Sequence, residues 1–142
     1  MNALTGFLAL LRAAQFSHHT SHWVAKGQTF EADHQLFSDL YTAIDPEFDS
    51  LAESVVFLYG DGAVDEQAQI RQMAGMLEKW SAIPDRIARA IEVERAIEDG
   101  VTFIVNGAEN PGVALDNFLR QIADSHRKAR YRLQRRNMTE AK

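Results

Sequence analysis

The 142-residue chain contains no cysteine, so disulfides and thiolate metal sites are excluded, and a cytoplasmic protein is expected. Its most apolar stretch, residues 4–14, is interrupted by Gly6 and Arg12. That stretch is shorter than the ~18–20 residues that a membrane span requires, and no signal-peptide pattern is visible. These absences predict a protein that does not enter the membrane.

Internal repeats and low-complexity tracts are also lacking, and the length suits one domain over residues 1–142. The net charge of −5 is unevenly distributed. Residues 126–142 hold seven Lys or Arg and one Glu, a net charge of +6, which leaves −11 for the rest of the chain. An acidic body with a basic C-terminal end is a hint about partners and not about the fold.

Apolar residues recur at three- and four-residue steps almost throughout, which predicts helices and no strand of useful length. Four long helices are expected: from Leu4 to the Lys26-Gly27 turn, over 31–59, over 84–105, and from Asn110-Pro111 onward. A short helix over 65–80 lies in the crossover between the second and third. The predicted fold is an all-α, ferritin-like four-helix bundle with a short extra helix. Pro46 predicts a kink in the second helix, or a break with Asp45 as a new N-cap.

Two histidines, His22 and His34, and two carboxylates, Asp49 and Glu53, form a ligand set suited to Fe(II), Mn or Zn. Fifteen residues separate His34 from Asp49, roughly 22 Å along a helix. First-shell ligands lie only about 2 Å from their ion, so one chain cannot close this set on one metal. Two chains related by a two-fold axis could form two such sites. The alternative is a polar network that holds a dimer together.

The spacing of these residues resembles the ferroxidase segment of the Dps proteins, the mini-ferritins named for protecting DNA in starved cells. The family pattern has a His-Trp pair, a second histidine twelve residues after the first, then an aspartate and a glutamate fifteen and nineteen further on. The matching residues are His22, Trp23, Gly27, Phe30, His34, Phe37, Asp49 and Glu53.

The resemblance implies a homo-oligomeric hollow shell of twelve subunits that protects against oxidative damage. Fe(II) would bind at two-fold interfaces, be oxidised there by peroxide or oxygen, with peroxide preferred, and be stored inside as ferric mineral. His22 and His34 would bind the iron from one subunit, and Asp49 and Glu53 from its neighbour. Zn or Mn could occupy the same site. Trp23 beside the site would intercept oxidising equivalents.

One position departs from the family, which usually has an aspartate four residues after the second histidine, where this chain has Ser38. Asp39 is rotated by about 100° and would need a π-type bulge to reach the metal. The departure predicts weaker binding of at least one iron and slower or altered oxidation. The alternative function is a Dps-like structural or DNA-associated shell with weakened or lost ferroxidase activity.

Other candidate ligands have competing interpretations. Glu31-x-x-His34 fits a conventional ferritin motif, but residues 1–30 contain no Asp or Glu, so that intra-bundle site is excluded. His18 and His19 could be further ligands or could satisfy local hydrogen bonds. Glu94 predicts a salt-bridged carboxylate rather than a ligand. The resemblance would place Asp116 beside an iron-entry pore, whereas its position also suits a solvated helix N-terminus.

The basic residues of the C-terminal end are the candidates for non-specific DNA binding: Arg127, Lys128, Arg130, Arg132, Arg135 and Arg136. The same residues could instead favour a helix C-terminus or pair with acidic neighbours.

Overall fold

The computed structural model describes residues 3–138, and these form five α-helices. They are α1 (Ala3–Val24), α2 (Phe30–Tyr59), α3 (Glu66–Ser81), α4 (Arg86–Val105) and α5 (Val113–Asn137), with one turn of 3₁₀ helix at Asp61–Ala63. No strand occurs in the described part of the chain, which confirms the all-α prediction. No helix within residues 3–138 is long and apolar enough to cross a bilayer.

The contacts divide the chain after Glu78 into two compact units, so the prediction of one domain over residues 1–142 stays a prediction. In the first unit α1 packs along α2. The interior positions of these helices are apolar and fully buried: Leu8, Leu11, Ile44, Leu51 and Val55. Their three- and four-residue spacing is what the sequence periodicity predicted.

In the second unit α4 packs along α5. Val93, Ile97, Leu119 and Leu133 are fully buried there. A polar pair crosses this apolar interior, because His126 Nδ1 contacts the Glu94 carboxylate and both side chains are buried. The expectation that Glu94 is paired with a basic partner is confirmed.

Two predicted helix starts are wrong by two or three residues. Helix α4 begins at Arg86 and not at Pro84, because Asp85 is its N-cap and accepts a hydrogen bond from the Ile87 backbone N–H at 3.0 Å.

Helix α5 begins at Val113, with Gly112 rather than Asn110 as its N-cap. The Asn110 side chain donates to the Val105 carbonyl at 2.9 Å and to Asp116 at 2.8 Å, and its Oδ1 accepts from the Gly112 N–H. Asn110 therefore joins the end of α4 to the start of α5.

Helix α2 runs without a break through Pro46. The alternative of a new helix start at Asp45 is wrong, since the Asp45 carboxylate accepts a hydrogen bond from Gln15 of α1 at 2.5 Å. This contact ties the middle of α2 to α1 beside the point where the proline removes a backbone hydrogen bond.

The turn between α1 and α2 comes slightly earlier than predicted, because α1 ends at Val24. Gly27 has φ +86°, the left-handed conformation expected of it, and its carbonyl accepts from the Phe30 N–H at 3.1 Å. The turn brings the last residues of α1 beside the first turns of α2.

Candidate metal centre

The turn at Gly27 places the two predicted histidine ligands in direct contact. The rings of His22, near the end of α1, and His34, near the start of α2, stack with centroids 3.7 Å apart and planes 20° from parallel. His22 Nδ1 lies 2.7 Å from the His34 carbonyl oxygen, and His34 Nδ1 lies 2.9 Å from the His22 carbonyl oxygen. Each imidazole is therefore held by the backbone of the other residue.

These reciprocal contacts determine the tautomer of both rings. A carbonyl oxygen only accepts hydrogen bonds, so each Nδ1 must carry the proton and donate it. In the neutral ring, Nε2 then keeps its lone pair and can bind a metal, the arrangement usual for metal-ligating histidines. The structure thus brings the His22 and His34 rings together and leaves Nε2 of each ring outside these two hydrogen bonds.

Aromatic rings surround this imidazole pair. Phe30 stacks on His34 with centroids 4.9 Å apart, and Tyr41 meets His22 edge-on at 5.4 Å. His19 stacks on Tyr41 at 4.1 Å, and Trp23 lies 4.1 Å from His19. We call the six rings the ring series, in the order Phe30, His34, His22, Tyr41, His19, Trp23.

The sequence analysis did not predict that Tyr41 lies beside the two histidines, and it treated His19 only as a weak candidate for a further ligand. The signal was present in the spacing, since Tyr41 lies two helical turns after His34 and His19 one turn before Trp23. Trp23, predicted to intercept oxidising equivalents, is 65% exposed at the outer end of the ring series.

The predicted carboxylate ligands, Asp49 and Glu53, lie one turn apart on α2 and are both exposed. Glu53 borders a groove of about 800 Å³ whose apolar walls include Phe48, Val56 and Met73. The unbroken helix keeps Asp49 roughly 22 Å, and Glu53 roughly 28 Å, along α2 from His34. Across residues 3–138 no three or more His, Asp or Glu are grouped closely enough to hold a metal ion. One chain therefore presents a histidine half and a carboxylate half separately.

Ser38 lies partly buried on α2, one turn after His34. Helix α2 is α-helical from Phe30 to Tyr59, so the π-type bulge that Asp39 would need is absent from it. The Asp39 carboxylate instead accepts a hydrogen bond from Gln35 at 2.9 Å.

Two further candidates lie in other surroundings. His18 is fully buried, and its ring centroid lies 6.2 Å from that of Phe37 in the core. Asp116, in the first turn of α5, accepts from Arg120 at 2.5 Å and from Asn110, and these two bonds lower the pKa of its carboxyl group. Asp116 therefore has local hydrogen-bond partners at the start of α5, while its position beside a pore stays a prediction.

The basic C-terminal end is partly neutralised within the chain. Arg127 and Lys128 both pair with Asp124, and Arg130 pairs with Glu98 of α4 at 2.5 Å, which raises the pKa of the Arg130 guanidinium. The last four residues, 139–142, lie outside the described part. These pairings reduce the positive charge that this end can offer to DNA phosphates.

Comparison with known proteins supports the fold. The structure is similar to the X-ray structure of Dps from Thermosynechococcus elongatus, with a TM-score of 0.75, over 97% of this chain and 91% of that one. The two sequences are 18% identical. No protein-family model and no curated protein matches the sequence. The chain therefore has the ferritin-like helical fold of Dps, as the sequence predicted.

Proposed function

We propose that the chain is a Dps-type mini-ferritin that binds Fe(II) between subunits, oxidises it and stores ferric iron in a hollow shell within the cytoplasm. The observation that carries this proposal is the His22–His34 pair, in which both rings are held with Nε2 available as a donor. The ferritin-like fold shared with Dps supports it.

The donor set fits iron as a substrate. Two neutral imidazoles suit Fe(II), and the carboxylates of a second copy would add negative charge that favours the Fe(III) product. In the overall reaction two Fe(II) each lose one electron, and hydrogen peroxide takes both electrons and two protons to form two waters. The protein's part is to hold the imidazole tautomers, supply Asp49 and Glu53, and keep the reaction at a defined place.

Assembly is required because the two halves of the site lie apart in one chain. A two-fold axis that places the histidine half of one copy against the carboxylate half of another would complete two sites at once. Large apolar side chains are exposed on the first unit and would suit such an interface: Phe16 (58%), Trp23 (65%), Phe57 (88%) and Ile70 (64%). We propose a homo-oligomer of twelve subunits, the number that the resemblance to Dps implies.

The test is anaerobic titration with Fe(II), followed by oxidation with peroxide and, separately, with oxygen. His34→Ala removes one donor and the carbonyl contact of its ring, so we expect at least about tenfold weaker binding and a matching loss of oxidation rate. Gln121→Ala, at an exposed position of α5 that has no part in the proposed site, is the control and should behave as wild type. Wild-type oxidation no faster than that of His34→Ala would contradict the proposal.

The alternative, a structural or DNA-associated shell with little oxidation, makes a different prediction. It requires a gel shift that weakens with salt and is lost on truncation after Ala129. The pairing of Arg127, Lys128 and Arg130 with acidic neighbours disfavours it. A strong gel shift together with absent iron oxidation would support the alternative.

A further inference from the structure

We infer that Arg12 of α1 binds the hydrogen peroxide that oxidises iron at the proposed site, and that it stabilises the oxygen that leaves when the O–O bond breaks. This inference rests on the proposed function and adds to it a residue that lies outside the ligand pattern of the sequence. Three observations lead to it: the groove that Arg12 shares with Glu53, its contact with Phe48, and the lack of an acidic partner for it within residues 3–138.

Arg12 lies in the same groove as the proposed ligand Glu53. Arg12 comes from α1 and Glu53 from α2, and both line the groove of about 800 Å³ whose other walls are largely apolar. The polar residues that line it are Arg12, Glu53, Glu66 and Gln69. Arg12 is therefore the only cation among the described residues of the groove, and a small polar molecule beside Glu53 would meet its positive charge.

The guanidinium of Arg12 is held over an aromatic ring. Its Cζ lies 4.0 Å from the centroid of the Phe48 ring, a cation–π contact. Phe48 directly precedes the proposed ligand Asp49 on α2, so the contact keeps the guanidinium beside the carboxylate half. The ring attracts the charge but supplies no oxygen or nitrogen acceptor for the five N–H donors of the guanidinium. These donors can therefore serve a substrate.

No acidic side chain within residues 3–138 pairs with Arg12. Four other arginines, in α4 and α5, each pair with a carboxylate: Arg95, Arg120, Arg127 and Arg130. Helix α1 has no other Asp, Glu, Lys or Arg, so Arg12 is an isolated charge on an apolar helix. A positive charge near the carboxylate half repels Fe(II) and does not serve metal binding. It suits a hydrogen-bond acceptor that becomes anionic during the reaction.

The reduction of peroxide creates such an acceptor. Two Fe(II) each lose one electron, hydrogen peroxide takes both electrons, its O–O bond breaks, and two hydroxide ions form. A guanidinium donates hydrogen bonds to the developing hydroxide and keeps its own proton, so the two protons that complete two waters come from solvent. Dioxygen is apolar and a poor hydrogen-bond acceptor. Arg12 therefore favours peroxide over dioxygen as the oxidant.

The experiment measures iron oxidation by the assembled protein over a range of peroxide concentrations and, separately, of dioxygen concentrations. Arg12→Gln keeps a polar side chain but removes the charge. We expect a higher KM for peroxide and an oxidation rate at low peroxide that falls at least about tenfold, whereas the rate with dioxygen falls far less. Fe(II) affinity in an anaerobic titration should stay the same or increase, because a repelling charge is gone.

Three further variants separate peroxide binding from a structural effect. Arg71→Gln removes the charge of an exposed arginine of α3 and should match wild type. Phe48→Leu keeps an apolar side chain but removes the ring, so KM for peroxide should rise less than in Arg12→Gln. Arg12→Ala leaves room in the groove, and millimolar guanidinium ion should restore part of its peroxide-dependent rate. A structural defect would not respond to the added ion.

The outcomes distinguish this inference from the proposed function. Arg12→Gln that oxidises iron like wild type, that loses equal rate with peroxide and dioxygen, or that binds Fe(II) more weakly overturns the role of Arg12 alone. Absence of iron oxidation in wild type overturns the proposed function and the role of Arg12 with it.

Discussion

At the scale of single residues, the candidate site depends on contacts between side chains and the backbone. His22 and His34 each donate to the other's carbonyl oxygen, and this determines which ring nitrogen can bind a metal. Glu94 and His126 show the other use of the same chemistry, a buried pair inside the second unit. His22 and His34 differ from His126 in their exposure and in their hydrogen-bond partners, which are backbone carbonyls for the first two and the Glu94 carboxylate for His126.

Ser38 is the position at which adding a carboxylate tests the proposed ligand set. Ser38→Asp places a carboxylate one helical turn after His34, where it can reach an ion bound by that ring. We expect Fe(II) binding to tighten about tenfold in an anaerobic titration. Ser38→Asn, of similar size but uncharged, is the control and should change affinity far less. Equal affinity in the aspartate variant and wild type would place residue 38 outside the site.

The sequence singled out the candidate ligands but did not reveal their surroundings. Residue type and spacing, together with the resemblance to Dps, selected His22, His34, Asp49 and Glu53, and their role as ligands stays a prediction. The reciprocal hydrogen bonds depend on the path of the backbone through the turn at Gly27, which residue spacing does not determine. Rings such as Tyr41 matter through three-dimensional contacts, and a tyrosine at helical spacing predicts only a partly buried face.

At the scale of secondary structure, periodicity predicted all five helices, and local side-chain bonds decided where two of them begin. The Asp85 cap starts α4 two residues after Pro84. Asn110 was expected to cap α5, but its side chain bonds to Val105 and Asp116, and the helix starts after Gly112. When several possible capping residues are neighbours in the sequence, the sequence does not show which of them caps the helix.

Pro46 gives a prediction about α2. The helix continues through it although a proline cannot donate the backbone hydrogen bond there. Because Pro46 is exposed, Pro46→Ala should restore that bond without disturbing the core and raise the free energy of unfolding by about 1–3 kcal/mol. Urea denaturation measures this. Ser50→Ala, also exposed on α2, should change stability by less than about 0.5 kcal/mol. Unchanged stability in the Pro46 variant would mean that the helix already compensates for the lost bond.

At the scale of the whole molecule, the proposed two-chain site predicts complementation between two inactive variants. A mixed dimer of His34→Ala and Glu53→Ala subunits has one site in which both halves are intact. Unfolding and refolding the two variants together in equal amounts should therefore restore about a quarter of the wild-type sites. Peroxide-driven iron oxidation measures this, and each variant refolded alone is the control. No recovery in the mixture, with native mass spectrometry showing mixed assemblies, would contradict a shared site.

The fold, which the structure confirms, and the proposal of a site shared between two chains both came from the sequence, for different reasons. Apolar periodicity reports burial and so predicted the helices, and the 15-residue interval between His34 and Asp49 ruled out a single-chain site. Periodicity carries no information on the number or arrangement of copies. The continuous α2 keeps the two halves of the ligand set apart, as that argument required.

The reciprocal hydrogen bonds between His22 and His34 have a consequence for which sequence changes the pair can tolerate. Because each ring is oriented by a main-chain carbonyl, no third side chain has to be preserved to keep the two nitrogens poised. Residue 38 therefore has no part in orienting the imidazole pair. The arrangement depends instead on the length of the turn that joins α1 to α2. Inserting or deleting a single residue there would break both ring-to-carbonyl hydrogen bonds at once.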